Sequence, residues 1–302
     1  MFDLLDLIRT CILVTFMLSL PVPHELAELE RDAIITHLHS LVDHHVREED
    51  IRSFEFSLPG RPSLFIKSGP DVLVEASTQH FFYLLSNGDE SAPRIPKVFD
   101  AFYSERGYCF LVMEKVAAPT LSDCEISEEE AVEHAAFAVK WLLDQLTSVP
   151  DTCFGRISSE EAPALHRFFK QHDAPYVFAN PDKLAEYVSK ASKRCRMPPP
   201  PSAMEELLAS IKATRCIYHC DIKKENFLFG SGKVWIIDFQ HIGVFPQVFQ
   251  TYAFFNIGWA FAASVGRKLG YHPSSSANVM VQISSVLQQI AGAARLGLRP
   301  FD

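Results

Sequence analysis

Between Tyr218 and Gln240 the chain reads YHCDIKKENFLFGSGKVWIIDFQ, which sets His219, Asp221, Asn226 and Asp238 within one short run. Asn226 follows Asp221 after four intervening residues, and Asp238 closes an apolar stretch twelve residues beyond Asn226. These residue types at this spacing suit transfer of a γ-phosphoryl group. That reaction needs a carboxylate to hold an acceptor in line and a divalent metal to neutralise charge on the phosphate oxygens. Asp221 fits the first task. Asn226 and Asp238 offer the oxygen ligands that Mg²⁺ prefers, and Mg²⁺ completes its shell from phosphate and water.

The elements that must position these groups are legible around them. Phe227-Leu228-Phe229 and Val234-Trp235-Ile236-Ile237 are β-prone runs joined by Gly230-Ser231-Gly232-Lys233, a hairpin that returns Asn226 and Asp238 to each other at its open end. Upstream, Leu26, Leu29, Ala33, Leu38 and Leu41 recur at near-helical spacing, ahead of strands around Phe54-Glu55-Phe56 and Leu64-Phe65-Ile66. Ser127-Glu128-Glu129-Glu130 is a capping box opening a helix to about Gln145, with Ala131, Ala135, Val139, Leu142 and Leu143 as its apolar stripe. Asp182 to Arg194 reads as a further helix, broken by the four prolines 198–201. Met204 to Ala213 then delivers the chain to the catalytic segment, and Asn278 to Leu296 forms a last helix.

The His-x-Asp-x₄-Asn spacing is that of the kinase catalytic loop, and the segment resembles the core of the aminoglycoside phosphotransferase and choline kinase-like family, small-molecule kinases with the protein-kinase fold. The likeness extends over roughly residues 50–250. Ser63-Leu64-Phe65-Ile66-Lys67 resembles the strand carrying the phosphate-contacting Lys, and Val74-Glu75-Ala76 the start of the helix that pairs with it. Tyr108-Cys109-Phe110-Leu111-Val112-Met113-Glu114 resembles the strand entering the interlobe hinge.

The resemblance implies an α+β, two-lobed protein-kinase-like fold. An apolar segment 1–23 would precede a small antiparallel-sheet lobe at 24–115 that binds nucleotide and a mostly helical lobe at 116–302 that binds the acceptor. It also implies ATP and Mg²⁺ as cofactors. Lys67, fixed by Glu75, would hold the α and β phosphates, while Met113, Glu114 and Val116 would meet adenine. Asp221 would act on the acceptor, His219 would brace the loop by hydrogen bonding, and Asn226 and Asp238 would ligate the metal. The turn Leu58-Pro59-Gly60-Arg61-Pro62 departs from the family's Gly-rich pattern, with one glycine and two prolines. Arg61 there is either a phosphate contact or a solvent-exposed turn residue. That stiff turn keeps open a second reading, a kinase-like binding or scaffold protein without catalysis. A protein kinase is a third, opposed by Gln240 where D-F-G has its glycine and by the lack of an A-P-E segment.

Composition narrows the classes further. The 302 residues, 48% of them hydrophobic, can fill a sizeable core, and a net charge of −9 argues against a nucleic-acid binder. The basic runs Lys223-Lys224 and 190–196 read as a phosphate-side pair and a solvated helix end. Seven scattered cysteines suggest a reducing compartment rather than a disulfide framework. Cys216 and Cys220 beside His219 lack the second pair that a zinc site requires and read as buried small residues; His37, His39, His44 and His45 read as surface groups. Cys11 to Leu20 is an almost wholly apolar run too short for an ordinary membrane span, and Asp3 and Asp6 oppose a secretory signal. A packed helix and weak membrane association both remain open for residues 11–20, and a cytoplasmic location is expected. The expected partners are nucleotide and a small-molecule acceptor, with no nucleic acid. Phe168, Phe169, Tyr176, Tyr252 and Trp259 are either the wall of an acceptor pocket or large-lobe core, and the acidic balance is compatible with a cationic acceptor such as an amine.

Overall fold

In strand β2 (Leu64–Ser68) burial alternates, so Leu64 and Ile66 face one side of a sheet while Phe65 and Lys67 face the other. The computed structural model describes residues 21–42, 50–158, 162–256, 258 and 260–289; the expectations for residues 11–20, for His44, His45 and Trp259, and for the helix beyond 289 lie outside them. β2 pairs antiparallel with β1 (Ser53–Phe56) and β4 (Cys109–Glu114), and β3 (Val98–Tyr103) completes a sheet in the order β1-β2-β4-β3. Leu64 and Ile66 pack with Ile34 and Leu38 of helix α1 (Glu28–Leu41). The helix stands where the spacing put it, but its buried face differs from the expected stripe. Ile34 and Leu38 carry the contact, whereas Leu29 is 83% exposed and Leu41 39%.

Helix α2 (Val72–Asn87) covers the opposite face, where Val72 and Ala76 pack with Val98, Leu111 and Met113 and with Phe65. Its second half turns to the large lobe, since Phe81 and Phe82 share a core with Ala135, Val139 and Phe239. Two polar contacts fasten it there. Arg156 Nη2 donates to Asp71 Oδ1 at 2.9 Å, and Thr78 Oγ1 donates to Ile157 O at 2.9 Å.

The large lobe opens with helix α3 (Glu128–Asp144). Ser127 Oγ accepts from Glu130 N at 3.2 Å while Glu130 Oε2 accepts from Ser127 N at 2.9 Å, the expected reciprocal cap. Strand β5 (Gly155–Arg156) precedes helix α4 (Pro181–Ser192) and helix α5 (Pro201–Ala213), whose first residue is the last of the four prolines; a missing N–H costs nothing in a first helical turn. Strand β6 (Arg215–His219), hairpin β7 (Phe227–Gly230) and β8 (Lys233–Ile236), and strand β9 (Ile242–Pro246) follow. Ser231 and Gly232, with φ of 52° and 69°, give the hairpin its tight turn. Helices α6 (Gln247–Phe255), α7 (Ala260–Lys268) and α8 (Ser275–Gln289) complete the lobe. Among the described residues no helix is long and apolar enough to cross a membrane.

β9 runs between β5 and β6, and the three pack tightly at Gly243. A Cβ there would lie 2.3 Å from Gly155 O and 2.8 Å from Tyr218 Cε1, closer than side chains approach. Gly243→Ala is therefore expected to destabilise the protein by about 2–3 kcal/mol, the scale of overpacking a filled core. Urea unfolding reads this as a lower midpoint, and an unchanged midpoint would mean that the sheet relaxes around the methyl group.

Candidate active site

β6 ends at His219, and the chain leaves the sheet through Cys220, turns at Lys224–Asn226 and enters β7. Asn226 is 3% exposed, and its Nδ2 donates to Asp221 O at 2.8 Å and to Asp221 Oδ2 at 2.9 Å. Ile237 N donates to Asn226 O at 3.1 Å, so the open end of the hairpin places Asp238 next to Asn226, as the spacing requires. Asp238 itself has φ 65° and ψ 70°, a left-handed backbone that Asp tolerates better than most residues and that strained functional turns often use. Its Oδ1 accepts from Lys67 Nζ at 3.0 Å, and the same ammonium donates to Glu75 Oε1 at 2.6 Å.

Charge arranges itself around that ammonium. Burial disfavours the charged form of Lys67, but Glu75 and Asp238 together outweigh it and hold the group above its ordinary range. Burial also works against the Asp238 carboxylate; Lys67 overcomes this and lowers it.

Asp221 has a different set of partners. Its Oδ2 faces Lys223 Nζ at 2.9 Å, and its Oδ1 accepts from the guanidinium of Arg167. Burial again raises the carboxyl, but the hydrogen bond and charge of Lys223, the charge of Arg167 and the Asn226 amide carry it well below the usual carboxylate range. Beside it opens a cleft of about 630 Å³, lined among others by Arg167, His172, Lys223, His241, Tyr252 and Ser284.

One expectation is corrected here, and several alternatives left open by the sequence are narrowed. The His219 ring makes no hydrogen bond, because both ring nitrogens are buried without a partner among the described residues; the brace is its backbone N–H, which donates to Gln250 Oε1 at 2.7 Å. Burial holds the imidazole neutral, with its pKa lowered to about 4. Phe168 and Phe169 are fully buried in the large-lobe core, and Tyr176 packs against Phe178, so of the described aromatic candidates only Tyr252 reaches the cleft. Arg61 donates to Glu30 Oε1 at 2.6 Å and to Glu25 O at 2.7 Å, which ties the stiff turn to α1. Lys224 pairs with Glu128, leaving Lys223 as the lysine of that pair that faces Asp221. The described cysteines are free thiols, and among the described residues no group of three or more His, Cys, Asp or Glu could hold a metal.

Residues not singled out from the sequence include Arg167, His172, His241, Gln250 and Ser284. The signal for Arg167 was a lone charge wedged between His166 and the Phe168-Phe169 pair. His166 Nε2 donates to Phe249 O at 3.2 Å and its Nδ1 accepts from Phe168 N at 3.1 Å, so both neighbours of Arg167 are anchored.

The sequence model of the phosphotransferase enzyme family matches residues 52–259. The chain belongs to this family. Among solved structures it is similar to a thermostable mutant of aminoglycoside phosphotransferase APH(4)-Ia in its apo form, at 14% identity over 78% of this chain and 80% of that one, with a TM-score of 0.49. It is also similar to amicoumacin kinase hAmiN in complex with AMP-PNP, Ca2+ and Ami, at 13% identity over 86% and 87% of the two chains and a TM-score of 0.44. A third is the aminoglycoside-3'-phosphotransferase of type VIII, at 15% identity over 85% and 98% and a TM-score of 0.40. No curated protein matches the chain.

In this phosphotransferase the α+β, two-lobed, protein-kinase-like fold is the one expected from the sequence. Its donor set fits Mg²⁺. Asn226 commits Nδ2 to Asp221, which turns Oδ1 to the opposite side of the amide, and Asp238 has a second oxygen beyond the one Lys67 takes. Two hard oxygen ligands without a protein cage suit an ion that draws the rest of its shell from phosphate and water. At the interlobe strand, Glu114 N donates to Lys97 O at 2.9 Å and Lys115 N to Ser63 O at 3.2 Å, so strand pairing uses both amides. Gln79 Nε2 reaches Met113 Sδ at 3.5 Å and keeps that side chain inside.

Proposed function

We propose that this phosphotransferase moves the γ-phosphoryl group of ATP, with Mg²⁺, onto a hydroxyl of a small molecule. The observation that carries the reading is the assembly around two carboxylates. Lys67 joins Glu75 to Asp238, while Asn226 holds Asp221 at the edge of a cleft. Asp221 orients the acceptor hydroxyl and takes its proton as the acceptor oxygen bonds to the γ-phosphorus; the bond to the β-phosphate oxygen breaks and ADP leaves. Lys67 holds the donor's inner phosphates. Mg²⁺, held by Asn226 and Asp238, would neutralise charge on the phosphate oxygens. The lobe at 24–115 carries the nucleotide, whose adenine meets Met113, Glu114 and Val116, and residues 116–302 carry the acceptor. Dependence on ATP favours the cytoplasm.

One observation favours a non-catalytic, kinase-like binding protein instead: Arg167 rests on the carboxylate that must act. Thermal unfolding separates the two readings at the nucleotide site. A ligand at a hundred times its dissociation constant stabilises by about 2.7 kcal/mol, a shift of several degrees. The native protein is expected to show it only with ATP and Mg²⁺ together, and Asp238→Asn is expected to lose most of it. If the folded native protein does not shift, it is not a nucleotide-dependent enzyme.

A further inference from the structure

The charged groups lining the cleft are Arg167, Lys223 and Asp221, with His172 and His241 beside them. Burial lowers both histidines, His241 to about 4, so at neutral pH they are uncharged donors and acceptors. The single carboxylate is already paired with both cations. A polycation would find no unpaired carboxylate among these lining residues, which present two cations and one carboxylate to an incoming group.

Arg167 is held to meet such a group. Its neighbours His166 and Phe168 are fully buried, and its own side chain is only 10% exposed. The loop that follows is fixed as well. Gln171 and His172 sit at φ of 53° and 68°, and Gln288 of α8 donates through Nε2 to Phe169 O at 3.0 Å. Arg167 cannot drift with solvent as a surface arginine does.

Asp221 Oδ2 already meets Asn226 and Lys223, so a hydroxyl arriving at this carboxylate approaches Oδ1, the oxygen beside the guanidinium of Arg167. An oxyanion on the same acceptor then lies within reach of that guanidinium in a poorly solvated place, where a charge-assisted hydrogen bond is strong. Ser284 and Ser285 of α8 line the same cleft, and their hydroxyl groups suit further hydroxyls on the acceptor.

We propose, resting on the phosphotransferase reading above, that the acceptor is a polyhydroxylated molecule carrying a carboxylate or phosphate, and that Arg167 recognises that anion. As the acceptor seats, the guanidinium that rests on Asp221 turns further donors to the incoming oxyanion. Selectivity against amines follows from the same residue, reversing what the acidic net charge of the chain suggests.

Four probes on one three-carbon frame test this: glycerol, glycerate, glycerol 3-phosphate and 3-amino-1,2-propanediol. Binding is measured calorimetrically to the full chain, with and without Mg²⁺ and a non-hydrolysable ATP analogue. The anionic probes are expected to bind at least about tenfold more tightly than the neutral and aminated ones, and whichever anion binds more tightly identifies the group. Arg167→Ala should erase the preference and Arg167→Lys should keep part of it; the Lys variant serves alone if the Ala variant does not fold. Equal binding of all four, preference for the amine, no anion binding, or a preference untouched by both variants overturns the proposal. Nucleotide binding without anion preference would overturn this inference and leave the phosphotransferase reading standing. Arg167-dependent anion binding without nucleotide binding would overturn the phosphotransferase reading and leave only an anion site at Arg167.

Discussion

Asp221→Asn is expected to lower turnover by about a thousandfold, within the range that a positioned general base contributes, while nucleotide affinity stays nearly unchanged. The amide still accepts from Asn226 and Lys223, so the loop keeps its shape, but it cannot take the acceptor's proton. Lys67, Glu75 and Asp238 form their contacts without Asp221, which is why the nucleotide should not notice the change. Stability responds too, because Arg167 and Lys223 then face a neutral amide. Removing one partner of a fully buried pair costs about 3–5 kcal/mol; here Lys223 is about a third exposed and an oxygen remains, so about 2 kcal/mol is expected. Steady-state kinetics, nucleotide titration and thermal unfolding on one preparation separate the effects. Turnover within tenfold of the native protein would remove Asp221 from the reaction.

The second large effect is acid instability above pH 4. His166, His219 and His241 are held neutral by burial, with pKa values of about 3, 4 and 4 against about 6.5 in an unfolded chain. Geometry agrees, since a proton on His166 Nδ1 would break the bond from Phe168 N, and a protonated His219 would bury two unpaired N–H groups. Because the folded values are depressed, the stability is present above pH 6.5 and is lost as pH falls towards 4. In that window the unfolded chain binds up to three more protons, a slope of about 4 kcal/mol per pH unit. Lowered His80 and His172 act in the same direction. Glu75 and Asp173, both raised by burial, oppose them above their unfolded values, and Asp221 adds its loss only below pH 4. Against a typical total of about 5–15 kcal/mol, unfolding is expected between pH 4 and 5. His219→Met should shallow the slope by about a third. Urea midpoints unchanged from pH 7 to pH 5 would refute the account.

Much of this site was readable from the chain because it is local or strand-borne. The Asp221–Asn226 contact closes across five positions, and a two-residue turn sets the return of Asp238, so both follow from spacing. Lys67 and Glu75 are eight residues apart, on a strand and the helix after it. Arg167 was not legible in the same way. It reaches Asp221 from 54 positions away through a segment without helical or strand periodicity, and whether its aromatic neighbours were pocket wall or core could not be read from their types; they are the core that anchors it. Leu29 misled for a related reason: helical spacing names a candidate face but not the angle at which the sheet meets it. The ring of His219 looked like a hydrogen-bonding brace because sequence does not show that the backbone amide already fills that role.

Helix α2 belongs to two bodies at once. Its first turns rest on the small-lobe sheet, yet Asp71, Thr78, Phe81 and Phe82 are fastened to the large lobe, and Lys67 extends the same connection to Asp238. A kinase-like enzyme whose corresponding helix swings can be switched by that swing. Here the displacement would break an ion pair, a hydrogen bond and an aromatic cluster together. Any movement of the four-stranded sheet against the large lobe then has to slide over a helix that stays with the large lobe, which makes α2 the fulcrum of the molecule and leaves it poorly suited to serve as a switch.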